Sequence, residues 1–76
     1  MNTVGSVYQK FITNLLHDYD QNEARQVTSI VFEKTLGLSR IDLTTKSQTA
    51  VKENDLNELN IILAELLKGK PVQYII

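Results

Sequence analysis

The sequence predicts an all-α fold: a small bundle of three main helices plus one or two short helical turns. Three observations lead there. Apolar residues recur at spacings of three and four in three separate stretches, as one face of a helix requires. No stretch alternates apolar and polar over a useful length, and no Asn-Gly or Asp-Gly hairpin signal occurs. Finally, Gly37, Gly69 and Pro71 sit where helices would have to stop.

In the first stretch Val4, Val7, Tyr8, Phe11, Ile12, Leu15 and Leu16 share one broad face. Its start is either a Ser6–Gln9 capping box or an earlier entry at Thr3, and His17-Asp18-Tyr19-Asp20 ends the pattern. In the second, Asp20 and Glu23 have the spacing of a reciprocal N-terminal cap. Ala24, Val27, Ile30 and Val31 then form the expected inward face, with Phe32 at its border. Gly37 is expected as the left-handed cap, with Leu38 folding back over the last turn. Ser39 offers a new N-cap, so Arg40 to Leu43 is expected to form one short helical turn.

Thr44 to Lys52 is polar and rich in Ser and Thr, which predicts a loop. Val51 is placed to staple onto Leu56 at the next helix entry. The third stretch runs from about Glu53 to Lys68, with Leu56, Leu59, Ile62, Leu63, Leu66 and Leu67 inward. Ile61 falls among the polar residues of that helix. It is read as an ordinary exposed apolar side chain, with a docking surface or cover by the chain's own tail as the alternatives. Short connections favour antiparallel neighbours around one core.

The 76-residue length holds one small domain, and 42% apolar residues are enough for its core. No cysteine is present, so neither disulfides nor a thiolate metal site can hold it together. A formal net charge of −1 from mixed signs offers no basic stripe for nucleic acid and no polybasic patch for a membrane. No apolar run approaches a membrane span. The first residues lack the pattern of a signal peptide, which makes a cytoplasmic location the expectation.

Searches for chemistry end quickly. Asp18-x-Asp20-x-Asn22 opens like a calcium loop, yet Glu23 stands where the turn Gly belongs and Ser29 where the bidentate Glu belongs. A helix N-terminus explains those carboxylates better. His17 is the one imidazole and has no partners for a metal site or a nucleophile's base. "KGKP" is not a phosphate loop, and three glycines far apart make no dinucleotide turn. The segment "FEKTLGLSRIDLTTK" has the outline of a helix-turn-helix, with Arg40, Thr44, Thr45 and Lys46 toward DNA. Its second helix is too short, and Asp42 and the overall acidity oppose phosphate. A module that acts by contact is the expectation.

The chain closes on "LLKGKPVQYII", a helix stop followed by a new apolar run. Residues 1–70 are therefore read as the bundle and 71–76 as the start of a connection into a further domain. Together with "NEARQVTSIVFEKTLGLSRIDL" and "LNELNIILAELLKGKPVQYI", this ending resembles the N-terminal domain of the HemK/PrmC family. The residues that carry the likeness are Glu23-Ala24-Arg25, Leu36 to Arg40, and Gly69 to Ile75, which matches a G-x-P-x-Q-Y-I junction. The resemblance covers nearly everything from Asn22 onward.

Members of that family methylate a glutamine side-chain amide of class I peptide-chain release factors, with S-adenosylmethionine as methyl donor. The resemblance implies a helical domain ahead of a Rossmann-like catalytic domain. The catalytic domain's Gly-rich cofactor loop and Asn-Pro-Pro-Tyr motif do not occur here, so no catalytic or cofactor-binding residue is carried over. The implied partners are the chain's own catalytic domain and the release factor. Pro71, Gln73, Tyr74 and Ile75 are the expected interdomain contacts, and Ile61, Lys68 and Lys70 the expected border of a partner surface. Glu65 and Leu66 stand where basic residues are frequent in the family, which puts that part of the contact in doubt. The alternative is a free-standing helical interaction module, self-associating through Ile61 and the tail.

Overall fold

In a computed structural model the described residues are 2–75, and they form five helices. These are α1 (Val4–Leu15), α2 (Gln21–Leu36), α3 (Arg40–Thr45), α4 (Glu53–Leu67) and α5 (Val72–Ile75). The long helices α1, α2 and α4 pack on one another, α3 lies against α1, and α5 lies against α4. Met1 and Ile76, the second of the two closing isoleucines, lie outside the described residues.

The helix ends follow local chemistry. Thr3, and not Ser6, caps α1: its hydroxyl accepts from Ser6 N–H at 3.2 Å, while Ser6 Oγ accepts from Thr3 N–H at 3.0 Å. The box is therefore Thr3–Ser6 rather than Ser6–Gln9, which lets α1 begin three residues sooner and bring Val4 into the core. Asp20 Oδ1 accepts from Glu23 N–H at 2.8 Å, and among the described residues Glu23 returns no bond. Gly37 ends α2 at φ 70°, a left-handed conformation that costs an L-residue about 1–2 kcal/mol. Ser39 and Asp42 form a full capping box for α3, which runs two residues past Leu43 to Thr45. Glu53 starts α4 as expected, with Val51 and Leu56 both packed on the core.

The core is built from Val4, Val7, Phe11, Ile12 and Leu15 of α1, Ala24, Val31 and Phe32 of α2, and Leu59, Ile62, Leu63 and Leu66 of α4. Phe32 is its hub. Its ring meets Tyr8 and Phe11 edge to face, each centroid 5.6 Å away, a favoured aromatic arrangement. The inward face of α2 is thus rotated from the expected one. Phe32 is fully buried, whereas Ile30 is 41% exposed. Stepping about 100° per residue, Ile30 lies about 120° round from Ala24 on the far side from Phe32. Thr28 fills the space between, fully buried, its Oγ1 donating to Ala24 O at 2.7 Å. That bond satisfies the hydroxyl and lets a polar residue sit in the core. Leu16 and Leu67, both expected inward, are 47% and 40% exposed: Leu16 is the cap residue that follows α1, and Leu67 is the last residue of α4.

The loop after α3 is more than a connection. Val4 N–H donates to Thr49 O, Gly5 N–H to Ser47 O and Val51 N–H to Asn2 O, each at 2.8 Å. A single antiparallel bridge joins Thr3 to Ala50. Two amides in the first turn of α1, those of Val4 and Gly5, are thereby satisfied by a distant loop. At Gly5 a Cβ would stand 3.2 Å from both Ser47 Cβ and Ser47 O, so any larger residue would have to push the loop back by a few tenths of an ångström.

A cleft between α2, α4 and the terminal turn

The end of α4 positions the residues expected to make contacts. Lys68 caps α4 and Gly69 turns the chain at φ 92°, with its N–H donating to Leu66 O at 3.0 Å. Lys70 then folds back on Glu65: its Nζ lies 2.7 Å from Glu65 Oε2, and Lys68 Nζ lies 4.0 Å from Oε1. Glu65 Oε2 is sheltered from water, and the Lys70 ammonium is its close, charged neighbour. Pro71 supplies the fixed φ that opens a new turn, and Val72–Ile75 forms the one-turn α5.

This turn half-returns to the bundle. Val72 and Ile75 pack partly on the core, while Tyr74 points outward, 81% exposed. The segment read as a connection is therefore a short helical turn with one face on α4. Ile61, 64% exposed, projects from α4 into the same neighbourhood. An open cleft of about 690 Å³ results, lined by Lys34 and Thr35 of α2, Glu58, Ile61, Ile62 and Glu65 of α4, and Lys70, Tyr74 and Ile75.

The structure thus brings four of the expected contact residues together: Ile61, Lys70, Tyr74 and Ile75. Lys68, Pro71 and Gln73 are exposed and line no part of this cleft. Leu66, one of the two residues that put part of the expected contact in doubt, is a core residue, 1% exposed. Glu65, the other, serves as the anchor of the two lysines. Lys34 and Thr35 were not anticipated; they lie far from α4 in sequence, and only the α2–α4 packing brings them in.

The cleft mixes an apolar floor with opposed charges at its rim, which suits burial of an apolar side chain with a polar surround. Hydrogen bonding by the Lys70 ammonium, and then its charge, hold the Glu65 carboxyl below its ordinary value of 4.5; partial desolvation opposes this and Lys68 adds a smaller pull. A depressed folded-state pKa means that the pair contributes stability above the unfolded value and loses it as pH falls through the folded one. Acidification from neutral to below 4.5 should therefore loosen α5 before the bundle melts. Amide exchange at Val72 to Ile75, corrected for intrinsic rate, should rise over that range and stay flat in Glu65→Gln. Equal pH dependence in the variant would contradict this.

Among the described residues no group of three or more His, Cys, Asp or Glu side chains is placed to hold a metal. No helix among them is long and apolar enough to cross a membrane. No curated protein and no solved structure is significantly similar to the chain. The family model described as the PrmC N-terminal domain matches residues 8–76, from the middle of α1 through the terminal turn. With nearly the whole bundle covered by that match, the chain belongs to the PrmC N-terminal domain family.

Proposed function

We propose that this chain is the substrate-docking and architectural domain of an S-adenosylmethionine-dependent methyltransferase that modifies a glutamine of class I peptide-chain release factors. Binding of the methyl donor and methylation of the release factor's glutamine amide fall to the enzyme's catalytic domain, and the enzyme acts in the cytoplasm. The observation that carries the reading is the terminal cleft in a chain of this family. There Ile61 and Tyr74, two large apolar side chains left mostly in water, flank a turn that follows the bundle directly. In the proposal, Pro71, Gln73, Tyr74 and Ile75 meet the catalytic domain, and Ile61, Lys68 and Lys70 border the release factor.

The architectural half has a simple test. Chymotrypsin should cut the 76-residue chain readily after Tyr74, which is 81% exposed. In the whole enzyme the same bond should be cut at least about tenfold more slowly, because cleavage requires local opening of a buried segment. Equal rates in the two proteins would remove Tyr74 from the interdomain contact.

A further inference from the structure

A second concave site lies on the face where α1, α2 and α3 meet, and it shares no residue with the terminal cleft. It measures about 450 Å³ and is lined by Tyr8, Asn22, Arg25, Ser29, Arg40 and Thr44, among others. That volume is within the range of about 300–1,000 Å³ usual for ligand clefts. The site has two guanidinium groups and no carboxylate in its lining.

Neither arginine is in an ion pair among the described residues. The Asp20 and Asp42 carboxylates at the helix N-termini have other partners. Asp20 accepts from Glu23 N–H, and Asp42 accepts from Ser39 N–H at 3.0 Å and pairs with Lys46 at 3.7 Å. The Ser39 bonds and Lys46 together hold the Asp42 carboxyl below its ordinary value, so it stays committed to capping α3. The same lining includes Asn22, with its side-chain amide, and the hydroxyl-bearing residues Tyr8, Ser29 and Thr44. These groups can each bond a peptide N–H or C=O.

From this placement we infer that the α1–α2–α3 cleft binds an acidic peptide segment of a partner protein. Arg25 and Arg40 each take a carboxylate in the two-pronged geometry of a guanidinium, and the amide and hydroxyls bond the peptide backbone. A nucleic-acid occupant fits less well. The chain carries a net charge of −1, Lys46 is tied to Asp42, and α3 has only six residues to lay in a groove.

The test is an NMR titration of the 76-residue chain at low salt with the blocked peptide Gly-Glu-Gly-Glu-Gly, its Gln counterpart, inorganic phosphate and a short single-stranded oligonucleotide. The acidic peptide should shift the Arg25 and Arg40 side-chain N–H signals and the Ser29 and Thr44 amides, and the Gln peptide should not. Arg25→Gln and Arg40→Gln should each weaken binding about tenfold, the loss expected for one charge-assisted bidentate contact. The lysine variants should restore it only in part. Lys10→Gln, the same charge change outside the cleft, should leave affinity unchanged. Helical circular dichroism separates lost binding from lost fold, and the side-chain shifts in the unmodified chain stand whatever the variants do. Absent shifts, equal shifts with the Gln peptide, or tighter binding of phosphate or oligonucleotide than of the acidic peptide would each overturn the assignment.

Discussion

Phe32→Ala should destabilise the domain by about 3–5 kcal/mol, the usual cost of removing a fully buried aromatic ring. Phe32 has no exposed surface and joins α2 to α1 through paired edge-to-face contacts with Tyr8 and Phe11. Its loss would leave a cavity that the three long helices share. At roughly 0.05–0.15 kcal/mol per residue, a chain of this size has on the order of 4–11 kcal/mol of stability in total. The variant should therefore sit near or past its unfolding midpoint at ordinary temperature. Urea denaturation followed by helical circular dichroism reads this directly. Ile30→Ala, by contrast, should change stability by no more than about 0.5–1 kcal/mol, since Ile30 faces water on the far side of α2. A larger effect at Ile30 than at Phe32 would mean that α2 is rotated from the orientation described.

The largest functional effect is expected from changing Ile61, Lys68 and Lys70 together to serine in the whole methyltransferase. In the proposed role these residues border the release-factor contact and touch neither the methyl donor nor the reacting amide. The triple variant should raise KM for the release factor about tenfold or more and leave kcat and the affinity for S-adenosylmethionine near their original values. That pattern is the signature of lost uniform binding. An effect of this size corresponds to about 1.4 kcal/mol or more of lost contact, modest for an apolar anchor with two flanking charges. Loss of Lys70 also frees Glu65 from its closest partner, so the single variant Ile61→Ser separates the docking contribution from any loosening of α5. If cofactor affinity or kcat falls instead, the domain supports the catalytic domain's structure and does not dock substrate.

The elements and their ends were legible because their causes are local. The Val4–Leu15 spacing, the Asp20 and Ser39 caps, the Gly37 stop and the Leu59–Leu66 face each lie within a few residues of the feature they specify. What sequence missed depends on tertiary packing. Thr28 reads as polar, and only its bond to Ala24 O allows it inside, which shifts the α2 face from Ile30 to Phe32. The Thr3–Ala50 bridge pairs segments with no hairpin between them, so no turn signal announces it. The same limit applies to the sites. Ile61 stood out as an apolar residue on a polar face, and Tyr74 and Ile75 as an apolar run after a stop. That they share a cleft, with Lys34 and Thr35 as its other wall, follows from the docking of α2 and α5 on α4. The arginine-lined cleft was hidden for the same reason, because Arg25 and Arg40 belong to different helices joined by the Gly37 turn.

Hydrogen–deuterium exchange of the whole enzyme, alone and with a class I release factor, tests the docking role most directly. The account predicts that the backbone amides of Glu58 to Ile62 and of Lys68 to Lys70 gain protection when the release factor binds. Protection confined to the catalytic domain, with these segments exchanging as fast as before, would contradict it.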